Sequence, residues 1–143
     1  MKVLKMKVYI DSSTVIYAFE FKESNSRKIL GLIIRGEIEA FINQKVINEV
    51  KKFFIRNHGE SVWVAVKTIL TRHFKLISEG SYSTDKYRGM IKDKDLEHLA
   101  AFKDSKLDLI IAYDRDFKEI SGYLTPKNFL IKMNKDFNKE FEF

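Results

Sequence analysis

The sequence has no cysteine, so no disulfide closes the fold and no thiolate can act as nucleophile or zinc ligand. With one proline and six glycines in 143 residues, fibrous and disordered classes are excluded. No stretch approaches the roughly 20 apolar residues of a membrane-spanning helix. Met1 to Ile10 alternates lysine with apolar residues and lacks the unbroken apolar core of a signal peptide. The expectation is a cytoplasmic protein without membrane association. Neither GxGxxG nor GxxxxGK occurs, which removes the dinucleotide fingerprint and the P-loop. His58, His73 and His98 are far apart and read as helix-end or packing groups, leaving serine-histidine-aspartate chemistry without visible support.

Apolar residues make up 45% of the chain and charged residues 32%. At this length the chain predicts one domain over residues 1–143, large enough to bury a core and too short for two. Lysine and arginine outnumber aspartate and glutamate by 26 to 20, a formal charge of +6. A basic surface favours polyanions through counterion release, though the same balance often serves only solubility.

Lys7 to Ile10 is β-branched and aromatic and reads as a strand ending at Asp11, followed by a helical turn or two through Val15 to Phe19. Ser24-Asn25-Ser26 offers caps for a helix closed by Gly36, and Ala40 to Ile42 is a second strand. From Gln44 to Asn57 apolar residues recur at helical spacing, and His58-Gly59 ends the segment. Ser61 is a cap for the next helix, Phe74 to Ile77 a third strand, and Lys94 to Lys106 a further helix. Asp108 to Tyr113 is a nearly continuous apolar strand of the kind buried on both faces, ending at Asp114, and Phe129 to Met133 is expected as a last strand. Strands alternating with helices predict an α/β fold with a mostly parallel sheet of four or five strands. In such sheets the site lies beyond the carboxyl ends of the strands, where Asp11 and Asp114 fall.

Each candidate acid carries a bland reading beside the functional one. Asp11, followed by Ser12, Ser13 and Thr14, could simply cap the next helix, and either Asp114 or Asp116 could cap a turn. Glu49 falls beside the apolar stripe of its helix, an uninformative boundary position. Asp95 heads the row Asp95, Leu99, Phe102 and should point partly inward. Crowded carboxylates repel one another, so a cluster is stable near neutral pH chiefly when a divalent cation neutralises it. All-oxygen ligands suit Mg²⁺ or Mn²⁺, which can activate water against a phosphodiester without a nucleophilic side chain.

These residues resemble the PIN-domain ribonucleases, and within them the VapC-type toxins, over nearly the whole chain. Val8 to Ile16 is similar to the family's opening, where a strand ends in the first acid and a small polar residue two positions on supports it, here Ser13 in place of the frequent asparagine. Val46-Ile47-Asn48-Glu49-Val50 resembles the helix bearing the second acid. Asp95 to Phe102, then Asp108 to Phe117, is similar to the paired third and fourth acids, and Thr125 to Leu130 to the closing turn and last strand. Where the family commonly has threonine or serine two residues before the fourth acid, this chain has Ala112. The resemblance implies a three-layer α/β/α fold and a Mg²⁺- or Mn²⁺-dependent endoribonuclease. It implies Asp11, Glu49, Asp95 and Asp114 as catalytic metal ligands, with Asp116 either an outer ligand or a residue that positions the loop. It also implies a homodimer and, for a toxin, a small antitoxin partner.

Lys51, Lys52, Arg56, Lys92 and Lys94, with Lys86 and Arg88, are candidates to line an RNA path, against the alternative of a solvated face. Two rival functions differ in class. An aspartate-nucleophile phosphatase wants a second acid where Ser13 stands. A weakly active PIN-like module that binds RNA or a partner is kept open by Ala112. The aromatic tail, with Phe137, Phe141 and Phe143, is expected to pack on the domain or on a second subunit.

Overall fold

The computed structural model describes residues 4–139. Five strands form one sheet: β1 (Lys7–Ile10), β2 (Glu39–Asn43), β3 (Phe74–Ile77), β4 (Leu109–Ile111) and β5 (Tyr123–Leu124). Their order is β3-β2-β1-β4-β5, and every neighbouring pair is parallel. Among the described residues six α-helices connect and cover them in an α/β/α arrangement: α1 (Ser12–Glu20), α2 (Asn25–Ile34), α3 (Gln44–His58), α4 (Glu60–His73), α5 (Leu96–Asp104) and α6 (Pro126–Lys132).

The apolar run of β4 is buried at all three residues, as are Val8, Tyr9 and Ile10 of β1, because a central parallel strand is covered on both faces. Burial of these residues with Val46, Val50 and Phe54 of α3 and Leu99 and Phe102 of α5 makes the core, and α1 packs on both α2 and α3. Among the described residues no helix is long and apolar enough to cross a membrane. The chain leaves β1 toward β2 and β3, then returns to place β4 on the other side of β1. The carboxyl ends of β1 and β4 therefore flank the switch point of the sheet.

Two expected elements differ. Phe129 to Met133 is not a strand: it lies in α6 and its first following residue, with Phe129 and Leu130 buried and Ile131 48% exposed. The Thr125 hydroxyl caps that helix by accepting from the Asn128 N–H at 3.2 Å, and Pro126 in the first turn is preset for helix. The last strand is instead the short β5. Ser61 does not cap α4 either, since that position falls to Gly59, which has φ +90° and makes no side-chain cap bond. In the tail, Phe137 packs against the core, and Phe141 and Phe143 lie outside the described residues.

Candidate active site

Asp11 leaves β1 and caps α1, so its structural and functional readings hold together. Its Oδ1 accepts from the Thr14 N–H at 3.1 Å and the Thr14 hydroxyl at 2.7 Å, and the Ser13 hydroxyl reaches both oxygens, at 3.2 and 3.0 Å. The Asp11 N–H donates to the Ile111 carbonyl, tying the ends of β1 and β4. The side chain is 6% exposed, and burial raises its carboxyl although His98, Thr14 and Ser13 pull the other way.

Asp95 closes the short turn before α5, and Asp114 caps the turn Arg115–Phe117 with Oδ1 accepting from the Asp116 N–H at 2.8 Å. One carboxylate oxygen from each of Asp95, Asp114 and Asp116 lies within 4.8 Å of the others. No trio containing Asp11 or Glu49 meets that spacing among the described residues. Asp95 is 7% exposed, and its Oδ2 is buried without a hydrogen-bond partner. Burial, and then the Asp114 charge, hold the Asp95 carboxyl above its ordinary range. Burial acts on Asp114 in the same sense, but the Asp116 N–H and Lys94 outweigh it and keep that carboxyl low. A buried acceptor without a donor, beside two further carboxylates, is the donor set that a hard divalent cation satisfies. The site therefore fits such an ion.

Lys94 is drawn into the cluster, with Nζ 3.5 Å from Asp114 Oδ2 and 3.9 Å from Asp116 Oδ2. Lys92 pairs with Asp116 Oδ2 at 3.3 Å. Lys51, Lys52 and Arg56 pair with none of these acids among the described residues and lie exposed on α3 around a shallow open hollow with Asn48 and Ile55. Lys86 and Arg88 pair instead with Asp104 at 2.9 Å and Asp85 at 3.2 Å.

Glu49 projects from α3 with its side chain 45% exposed. Its Oε1 accepts from the Ser12 hydroxyl at 2.5 Å and lies 3.2 Å from His98 Nε2. Burial would raise Glu49, but these two bonds hold it below the usual range. His98 is 4% exposed, and its Nδ1 lies 2.7 Å from the hydroxyl of the fully buried Tyr9. The sequence reading missed both Tyr9 and His98 as site residues. The available signal was spacing: His98 follows Asp95 by three residues, one helical turn. Ala112 is fully buried behind the site and brings no hydroxyl. The Thr14 hydroxyl lies 3.3 Å from the neighbouring Ile111 carbonyl as well as against Asp11.

The sequence profile of a family described as "PIN domain" matches residues 7–116. No curated protein sequence matches the chain. Among experimental structures, the chain is similar to one in a toxin-antitoxin complex from Klebsiella pneumoniae, with TM-score 0.66 and 20% identity over 83% of this chain and 97% of that one. It is also similar to a chain in VapBC2 from Rickettsia felis bound to a promoter DNA fragment, with TM-score 0.62 and 14% identity over 84% and 97%. A third is VapC20 of Mycobacterium tuberculosis, a toxin that cleaves the sarcin-ricin loop, with TM-score 0.58 and 14% identity over 80% and 95%. At these identities the likeness is one of fold.

Proposed function

This chain belongs to the PIN domain family, and from that membership we propose that it is a divalent-metal-dependent endoribonuclease, the toxin of a toxin-antitoxin pair. The observation that carries the reading is the Asp95, Asp114, Asp116 cluster with its buried, unpaired Oδ2. Mg²⁺ or Mn²⁺ held there would supply charge neutralisation at the scissile phosphate and a more acidic water. Asp95 and Asp114 would be the inner ligands and Asp116 an outer one, with Glu49 and Asp11 completing the acids that face the ion.

Asp11 is suited to take the proton of the attacking water at Oδ2. That oxygen accepts only from Ser13 among the described residues, and burial raises the carboxyl toward the range of a useful base. Ser13 and Thr14 keep it oriented. Lys94 and Lys92 reach the phosphate side of the cluster, and Lys51, Lys52 and Arg56 extend a basic track along α3 for the flanking RNA. A single-domain chain that acts in the cytoplasm as a homodimer, restrained by a small antitoxin, completes the reading. The toxin-antitoxin neighbours support the antitoxin partner.

The test is cleavage of a mixed pool of structured and single-stranded RNAs with Mg²⁺, Mn²⁺ or EDTA, beside Asp11→Asn. Asparagine remains an acceptable cap, so the variant is expected to fold and to lose cleavage. Retained cutting in the variant, or cutting in EDTA, overturns the assignment. Ala112 favours a second reading, an RNA- or partner-binding module, which gains if folded wild-type protein binds RNA and cuts none of the pool.

A further inference from the structure

Glu49 is the most exposed of the five candidate acids. It sits half exposed on α3, outside the tight trio, with a side chain that three torsions would otherwise leave free. Its two attachments come from the segments that carry the other acids. Ser12 adjoins Asp11, and His98 lies one turn beyond Asp95. Both bonds fall on Oε1, and no hydrogen bond to Oε2 occurs among the described residues.

The protons of this chain of contacts can be assigned by what each group is able to donate. A carboxylate only accepts, so the 3.2 Å contact to Glu49 Oε1 requires the proton on His98 Nε2. The Tyr9 hydroxyl, with no exposure, needs an acceptor, and His98 Nδ1 at 2.7 Å is the partner in reach. Tyr9 therefore donates to Nδ1, and Nε2–H donates to Glu49. With Nδ1–H instead, the Tyr9 proton would lose its acceptor and Nε2 would turn a lone pair toward Glu49.

We propose that Tyr9 and His98 are positioning residues: Tyr9 fixes the His98 tautomer, and His98 with Ser12 pins Glu49 Oε1 so that Oε2 is presented to the divalent cation. The inference rests on the metal-dependent nuclease reading above. It adds to that reading a relay from the middle of β1 to the second acid, through side chains 89 and 49 residues apart in sequence.

The test combines ring ¹⁵N NMR of His98 with Mn²⁺ titration of the full chain, followed by electron paramagnetic resonance, for wild type, His98→Asn, His98→Gln and Tyr9→Phe. Asparagine ends about where Nδ1 lies and can still accept from Tyr9, whereas glutamine ends about where Nε2 lies and can still donate to Glu49. Metal-free wild type is expected to show protonated Nε2 and unprotonated Nδ1. His98→Asn should weaken Mn²⁺ binding about tenfold, within the range for loss of a ligand's supporting bond, while His98→Gln stays within about threefold of wild type. Tyr9→Phe should fall between them and keep its thermal midpoint near that of wild type.

Protonated Nδ1 in wild type, or wild-type Mn²⁺ affinity in folded His98→Asn and Tyr9→Phe, overturns the proposal. Where His98→Asn does not fold, the ring shifts and the near-isosteric Tyr9→Phe decide. Failure of the nuclease reading looks different: wild type then binds Mn²⁺ with the relay intact and cleaves no RNA.

Discussion

Carboxylates within 4.8 Å of one another are a liability to the metal-free fold, and Asp95 bears most of it, being buried, repelled by Asp114 and unpaired at Oδ2. Groups held for binding in this way tend to lower stability. Asp95→Asn is therefore expected to stabilise the EDTA-treated protein by about 1 kcal/mol while abolishing the response to Mg²⁺, as read by thermal melts with and without the ion. A lower midpoint in EDTA would mean that Asp95 serves the fold rather than the ion. Lys94 supplies part of the missing positive charge, so Lys94→Ala should tighten Mn²⁺ binding several-fold and yet raise KM for RNA. Calorimetry and steady-state cleavage separate the two effects, and a variant that weakens Mn²⁺ would contradict the counterion role. Asp11 and Asp114 were legible in the sequence because each follows an apolar run, and Asp95 because it heads an inward row. Tyr9 was not, since a tyrosine in a strand reads as one more apolar residue and its partner lies 89 residues away.

The elements that carry the site were legible wherever period and punctuation agreed. Gln44–His58 has helical spacing and a glycine stop, and β4 is an unbroken apolar run. They conflicted at the C-terminal side, where Phe129-Leu130-Ile131 mimics a strand while Thr125-Pro126 announces a helix. The capping chemistry won. This leaves β5 with two residues, which hold to β4 partly through the Ile110 N–H donating to the Gly122 carbonyl at 2.9 Å. Gly122 has φ +92°, and a Cβ there would stand 3.0 Å from Phe102 and 3.2 Å from the Asp108 carbonyl. Gly122→Ala should cost about 1–3 kcal/mol in denaturant unfolding, through backbone strain and through displacement of Phe102. Unchanged stability would show that β5 can shift without consequence.

At the scale of the whole molecule, the strand order sets candidate acids that the sequence scatters from position 11 to position 116 around the carboxyl ends of the parallel strands. Asp11 arrives on β1, Asp114 and Asp116 after β4, Asp95 ahead of α5, and Glu49 on the helix that follows β2. On the proposed reading no single element holds the site, so a cation bound there would tie the switch point to segments from both halves of the chain. Its binding energy then adds to the stability of the fold as a unit. At a Mg²⁺ concentration ten times Kd, linkage adds about 1.4 kcal/mol, which for a chain of this size is roughly a 3–8 °C rise in Tm. The rise should vanish in Asp95→Asn and shrink in His98→Asn. Because the ion binds only folded protein, the rise should also grow with the logarithm of Mg²⁺ concentration once the site is saturated. A midpoint indifferent to Mg²⁺ from micromolar to ten-millimolar levels, in wild type that is folded, would remove the cation from the site altogether.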